Sequence, residues 1–319
     1  MNLNVQELAQ GSRLPLLVSP ADSGHRWTDL APDLRALVDE QLLQCGGILF
    51  RGLHLDGAGD FRAFASGFGG PLISYEFGST PRSKVADGVY TSTEYPPHQR
   101  IPLHNEQAYT REWPMKLWFF CEVAAKEGGE TPIADSREIY RRIDPRIRER
   151  FERSGLMYVR NFGNGLDVPW QQVFNVGDRA SVEQYCRPRG IVCEWKEDGE
   201  LRTRQVCQAV AAHPRTGDMV WFNQAHLFHV SSLDPEVREA LLETVDEPDL
   251  PRNVYYGDGS PLEDALLDEI RGVLDEAQMS FPWSAGDVLM LDNMLTAHGR
   301  SPFRGPRKVI VAMAEGRST

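Results

Sequence analysis

His-x-acid triplets occur twice in this chain, as His54-Leu55-Asp56 and as His104-Asn105-Glu106. Joined by the remote His298, the second triplet supplies two imidazoles and one carboxylate. That is the donor set of a facial ferrous site, which leaves one face of the ion open for substrate and oxygen. The first triplet has a simpler reading, because Asp56 stands where a helix N-cap is wanted and no second ligand context accompanies it. His104 and Glu106 stand at a predicted strand, where residues one apart point to the same side of the sheet. Taken alone, the pair would equally suit a hydrogen-bonded couple at a strand edge.

The C-terminal segment shifts that balance. His298 follows the turn after the apolar run Leu289-Met290-Leu291, and Arg307 opens a predicted strand whose alternate residues are Val309, Val311 and Met313. An arginine on the apolar, inward face of a strand must meet an anion. A dicarboxylate co-substrate supplies one.

Around these residues the chain reads as many short strands with few long helices. Apolar spacing through Leu34, Leu37, Val38 and Leu42 predicts a helix that Cys45-Gly46-Gly47 ends, followed by a buried strand at Ile48-Leu49-Phe50. A second helix carries Phe61, Phe64, Ala65 and Phe68. Residues 71–103 are rich in Pro, Gly, Ser and Thr with isolated aromatics (Tyr75, Phe77, Tyr90, Tyr95), a loop composition that frees side chains to reach a ligand. The run from Met115 to Cys121 predicts a buried strand, and Ser136 is expected to cap one charged helix continuing to about Arg153. Residues 155–285 alternate strand-like runs with polar turns, include a helical stretch over 260–275, and form an insert between the ligand motifs. With no repeat or low-complexity linker, one domain over 1–319 is expected, mainly β with flanking helices, its core an antiparallel double-sheet barrel.

Composition narrows the function classes. The chain has 41% hydrophobic and 25% charged residues, a soluble-protein balance, and no apolar run approaches the roughly 18 residues that would span a bilayer. A formal charge of -12 repels phosphate backbones and argues against nucleic acid as partner. Five cysteines, with no CxxC motif, suggest reduced structural thiols. The N-terminus has neither a basic n-region nor an apolar h-region, so a cytoplasmic protein is expected. A homo-oligomer remains open.

Several blocks together carry a family likeness: His104-Asn-Glu106, Trp113-Pro-Met-Lys-Leu-Trp-Phe-Phe-Cys121, Gly128-Gly-Glu-Thr-Pro-Ile-Ala-Asp135, His213-Pro-Arg-Thr-Gly217 with Trp221-Phe-Asn-Gln224, and Ala297-His-Gly-Arg300 with Gly305-Pro-Arg307. The chain resembles the taurine dioxygenase (TauD/TfdA) family of Fe(II)/2-oxoglutarate oxygenases, in particular the branch similar to the syringomycin-pathway aspartyl hydroxylase. The resemblance implies a double-stranded β-helix (jelly-roll or cupin-like) fold, iron held by His104, Glu106 and His298, and the distal carboxylate of 2-oxoglutarate held by Thr131 and Arg307. It implies O2 as the oxidant and hydroxylation of an unactivated carbon. Glu106 fills the place that halogenating relatives leave open for chloride. Two departures matter. Glu106 stands where better-known members carry aspartate, and the short interval from His298 to Arg307 makes Arg300 a competitor for the carboxylate.

That branch implies an amino-acid-like substrate, free or tethered to an acidic peptidyl carrier protein, in natural-product (antibiotic) biosynthesis. Arg82, Thr93 and Asn223, with Gln224 beside it, are the candidate substrate contacts. The arginines between 137 and 153 would be the carrier's docking patch, unless Glu138, Glu149 and Glu152 simply balance them on a solvated face. A catabolic taurine or aryloxyacid dioxygenase is the nearer competitor, with Met313 counting against a sulfonate. Desaturation or cyclisation on the same iron site is the other alternative. Asp292 and Asn293 are candidate partners of the ligand histidines by proximity in sequence. His25, His98, His226 and His229 read as surface or packing residues.

Overall fold

The computed structural model describes residues 2–9, 11–22, 24–74, 82–163, 165–166, 168–197 and 199–318, so Tyr75, Phe77 and the Thr80-Pro81 approach to Arg82 lie outside the described residues. Its largest sheet has eight strands in the order Leu3–Ala9, Ser12–Pro20, Gly47–Phe50, Val288–Asp292, Glu112–Val123, Lys308–Ser318, Val89–Thr91 and Lys84–Ala86. Only Ser12–Pro20 against Gly47–Phe50 runs parallel. Facing this sheet is a smaller one, Ile101–His104, Thr296–Arg300 and Ile133–Asp135, with Phe119 of the large sheet 5.0 Å ring to ring from His298 of the small one. The two layers form the expected double-stranded β-helix.

The central strands are apolar on both faces because both are covered. Leu117, Phe119, Cys121, Leu289, Leu291, Val309, Val311 and Met313 point toward the small sheet. Trp118, Phe120, Met290 and Ile310 point the other way, onto Leu34, Leu37, Phe61 and Phe64 of the helices Ala31–Cys45 and Gly57–Gly69. A strand sandwiched in this way has no solvent side to mark its period, which is why 115–121 reads as an unbroken apolar run. The first helix stops where Gly46 takes φ 78° and its N–H returns to the Leu42 carbonyl at 2.7 Å.

The 155–285 segment builds its own four-stranded sheet, ordered Val192–Trp195, Leu201–Cys207, Leu156–Phe162 and Arg252–Tyr256. With helix Asp264–Ala277 it covers the outer side of the small sheet, where Leu103, Ala134 and Ala297 pack with Tyr158, Leu267, Ile270 and Leu274. Among the described residues no helix is long and apolar enough to cross a membrane.

Two local expectations are corrected. The charged helix is two, Ser136–Arg142 and Pro145–Ser154, because the proline at 145 cannot continue the first helix but suits the first turn of a new one. The cap of the first is the Asp135 carboxylate, which accepts from the Arg137 N–H at 2.8 Å, and Ser136 is its first helical residue. The arginines here face carboxylates of the same chain: Arg137 meets Asp135 and Asp218, Arg141 meets Glu138, Arg142 meets Glu276, Arg146 meets Asp144, Arg148 meets Glu152 and Arg150 meets Glu263.

At Gly69 the helix layer lies close against the large sheet. A Cβ there would overlap the Trp118 ring and lie 2.8 Å from the Ala314 Cβ. Gly69→Ala should therefore destabilise the protein by about 1–3 kcal/mol through overpacking. Chemical denaturation measures this, and an unchanged or raised midpoint would show that the layers can separate.

Candidate metal and co-substrate site

Strand pairing sets His298 directly opposite His104, with ring centroids 4.5 Å apart at 48°. The strands can close here because residue 299 is glycine: a Cβ would sit 2.6 Å from the Ile101 carbonyl oxygen. Glu106 lies two residues beyond the strand end, so strand alternation is not what aims it. Its backbone is clamped by Asn293, whose Oδ1 accepts from the Glu106 N–H at 2.8 Å and whose Nδ2 donates to the carbonyls of Glu106 at 2.9 Å and Pro114 at 2.8 Å. Asn105 Nδ2 donates to the Asn293 carbonyl at 2.6 Å, and Gln224 Nε2 donates to the Asn105 carbonyl at 2.7 Å.

One ligand atom from each of His104, Glu106 and His298 lies within 4.8 Å of the others, a spacing that suits three donors converging on one ion. The donors also have the right protonation. His104 Nδ1 is 2.9 Å from the Pro102 carbonyl, which can only accept, so the proton sits on Nδ1 and the Nε2 lone pair remains for a metal. Burial pushes the His104 pKa down against the pull of Glu106, and pushes that of His298 well down, aided by the His104 and Arg82 charges. Neutral imidazoles are the ligating form. Among the described residues, His298 Nδ1 has no hydrogen-bond partner.

Beyond the triad lies a narrow cavity whose wall includes His104, His298, Phe119, Thr131, Arg300 and Arg307. Arg307 precedes strand Lys308–Ser318 and projects inward, donating from Nε to the Gly129 carbonyl at 2.8 Å and from Nη1 to Ser92 Oγ at a long 3.4 Å. Among the described residues no carboxylate forms an ion pair with it. Burial, then the Arg300 charge, pushes its pKa down to about 10. It remains a cation at neutral pH, and an anion entering this cavity would compensate it. Thr131 Oγ1 accepts from Trp283 Nε1 at 3.1 Å, which leaves the hydroxyl proton free to donate.

Arg300, the competitor for a carboxylate, is committed elsewhere: its two terminal nitrogens donate to the carbonyls of Thr93, Tyr95, Pro96 and Gln99 at 2.9–3.2 Å. Arg82 and Thr93 line both the inner cavity and an outer one of about 470 Å³ that also reaches His104, Glu106 and Gln224. Asn223 is not brought there. Its amide donates to the Ala209 carbonyl at 2.7 Å and its oxygen accepts from the Ala225 N–H at the start of helix Ala225–Phe228 at 3.0 Å, so both ends are taken by backbone. A separate cavity of about 310 Å³, walled by Gln107, Trp113, Tyr185 and Arg189, does not include the triad.

Asp292 and Asn293 do not bond to the ligand histidines. Asp292 faces His213 Nε2 at 3.1 Å and caps the N–H groups of Met294 and Leu295, while Asn293 holds Glu106. Sequence reasoning missed Trp283 altogether, since Phe281-Pro-Trp283 offers no signal of a partner at residue 131.

The chain matches the family described as "Taurine catabolism dioxygenase TauD, TfdA family" over residues 10–313. It is 42% identical over 278 residues to the dapdiamide synthesis protein DdaC of Enterobacter agglomerans, covering 87% of this chain and 84% of that one. A clavaminate synthase-like protein of Arabidopsis thaliana is 34% identical over 307 residues, covering 93% and 89%. Among solved structures, PvcB of Pseudomonas aeruginosa, an iron, α-ketoglutarate-dependent oxygenase from an isonitrile synthetic pathway, shares the fold with a TM-score of 0.58 at 18% identity, over 99% of this chain and 92% of that one. AAD-2, solved with Mn(II) and N-oxalylglycine, has a TM-score of 0.55 at 14% identity, over 100% and 99%.

Behind the triad, His226 is buried with Nε2 2.8 Å from the Leu103 carbonyl, one residue before His104. Burial outweighs that hydrogen bond and pushes its pKa from 6.5 down to about 4. Between those values the unfolded chain binds the proton and the folded chain does not, so acidification favours unfolding. Over that interval this group should remove roughly 3 kcal/mol of stability, with nothing lost above pH 6.5. His226→Gln keeps a donor without the titration and should flatten that part of the stability–pH curve; an unaltered slope would reject the assignment.

Proposed function

Because this chain belongs to the TauD/TfdA family and is an iron- and 2-oxoglutarate-dependent oxygenase, we propose that it hydroxylates an unactivated carbon of a free amino acid or small amino-acid derivative in natural-product assembly. The observation that carries this reading is the convergence of His104, Glu106 and His298 beside a cavity holding Thr131 and Arg307. DdaC, named for dapdiamide synthesis, supports the biosynthetic setting.

In this reading His104, Glu106 and His298 hold the ferrous ion. Arg307 receives the distal carboxylate of 2-oxoglutarate through charge-assisted hydrogen bonds, and Thr131, oriented by Trp283, adds a hydroxyl donor. When bound, the iron and 2-oxoglutarate supply O2 activation coupled to decarboxylation to succinate. The outer cavity would hold the substrate. Arg252 gives it positive charge, Asp234 negative charge, and Leu227, Phe228 and Val237 an apolar wall, which suits a molecule bearing a carboxylate, an ammonium and a carbon skeleton.

The decisive experiment adds Fe(II) and 2-oxoglutarate without oxygen and follows the visible metal-to-ligand band, then screens amino acids for its perturbation. A perturbing amino acid should, with O2, release succinate and give a product heavier by one oxygen. A product lacking two hydrogens would instead establish desaturation or ring closure. Arg307→Gln should weaken 2-oxoglutarate roughly 100-fold, within the 2–5 kcal/mol range for truncating a buried charged partner; unchanged affinity would remove Arg307 from the site.

A carrier-tethered substrate would need an available basic patch. The arginines of 137–150 are matched by carboxylates of this chain, which favours a free substrate. Arg141→Glu, Arg142→Glu and Arg146→Glu together should leave turnover within about twofold, as expected for exposed pairs. A selective loss of turnover on carrier-bound thioesters would reverse this conclusion.

A further inference from the structure

Glu106 has a neighbour that a metal ligand does not require. Its Oε2 lies 2.7 Å from Arg82 Nη2 and 4.0 Å from His298 Nε2. Both partners are nearly excluded from solvent, with side chains 4% and 6% exposed. Arg82 lies just before strand Lys84–Ala86 and stands where the inner and outer cavities meet.

A carboxylate can grip a cation with one oxygen or with both. Glutamate, with one more methylene than aspartate, has the reach and freedom to swing both oxygens onto one ion. An octahedral ion with three protein donors has three positions left, and a two-point co-substrate plus O2 needs all of them. A second oxygen from Glu106 would remove one. Arg82 donates to Oε2, the carboxylate oxygen that also lies 4.0 Å from His298 Nε2, so a charge-assisted hydrogen bond fixes the rotation of the carboxylate and opposes its turning both oxygens onto one ion.

We propose that Arg82 is a positioning residue that confines Glu106 to one-oxygen ligation and thereby keeps a coordination position open for 2-oxoglutarate and O2. The inference rests on the reading of His104, Glu106 and His298 as the metal-holding set. It has a signature that a purely structural role lacks. A guanidinium beside the ion repels the metal and holds the carboxylate out of two-oxygen ligation, so its removal should strengthen metal binding. The same removal closes a position and takes away a positive charge, so it should weaken the dianionic co-substrate.

Co(II), whose absorption in the visible reports coordination number, is the probe. Wild-type protein, Arg82→Met and Arg82→Lys are titrated anaerobically with Co(II) and then with 2-oxoglutarate. In Arg82→Met, Co(II) should bind at least as tightly as in wild type with an altered absorption band, while affinity for 2-oxoglutarate falls roughly tenfold or more. Arg82→Lys, which restores the charge and one donor, should recover most of that affinity. Should the methionine variant not fold, the lysine variant alone still decides, since an intermediate loss of 2-oxoglutarate affinity at undiminished Co(II) affinity is expected. A parallel fall in Co(II) and 2-oxoglutarate binding, or no change in either, overturns the proposal. Co(II) affinity that is undiminished in both His104→Gln and Glu106→Gln would instead sink the triad reading itself, independently of Arg82.

Discussion

The site depends on one backbone register, the antiparallel pairing that places His298 across from His104. A slip by one residue would turn one imidazole to the far side of the sheet. Two features oppose a slip: Gly299, where a side chain would strike the Ile101 carbonyl, and the Ile133–Asp135 strand, which pairs His298 with Ile133 from the other edge. The large sheet contributes the floor, since Phe119 stands against His298. The third donor is held differently, by a hydrogen-bonded asparagine and not by a strand, so the triad combines two rigid members with one whose backbone is latched.

Charge burial organises the rest. Arg300 and Arg307 are close in sequence, yet they have opposite fates. Arg300 meets four carbonyls and pins the 93–99 loop, an arrangement that satisfies its donors without neutralising its charge. Arg307 meets one carbonyl closely and one hydroxyl at a long distance, and its pKa is depressed by the very desolvation that an entering carboxylate would offset. A fold selected only for stability would fill such a place with an apolar side chain. A cation held there is one that an anion arriving from outside would compensate.

Much of this was legible in the sequence, and the limits are physical. Alternation of Val309, Val311 and Met313 correctly indicated one inward face, and the apolar run at 115–121 correctly indicated a buried strand, because side-chain period is a local property. The end of the first helix followed from Gly46, and the packing role of His226 is seen in its bond to Leu103. What escaped was long-range or hinged on a single cap. Asn293 reaches Glu106 across 187 positions and Trp283 reaches Thr131 across 152, and no local pattern encodes either. Asn223 sits next to a cavity-lining residue but turns its amide into the backbone. The break at Asp144-Pro145 was local and readable, since a proline preceded by a capping residue starts a helix more readily than it continues one. The Leu3–Ala9 and Ser12–Pro20 hairpin drew no attention because it carries no chemistry.

Net charge and local charge give opposite impressions of the ligand. With a formal charge of -12 the protein should repel anions, yet the triad region gathers Arg82, Arg300 and Arg307 around a cavity suited to a dianion. The contradiction dissolves on distance and dielectric. Surface carboxylates act through water and salt that screen them beyond about 10 Å at 0.1 M ionic strength, whereas a desolvated guanidinium a few ångströms from a ligand acts through a medium of much lower effective permittivity. The acidic exterior can therefore repel polyanions at the surface while the buried cations still attract a small anion in the interior. The same reasoning explains why the arginines of 137–150 carry less weight than their number suggests: Arg137 and Arg148 are largely covered, the others are half-exposed or exposed, and all are matched by the chain's own acids, so little of their field extends outward.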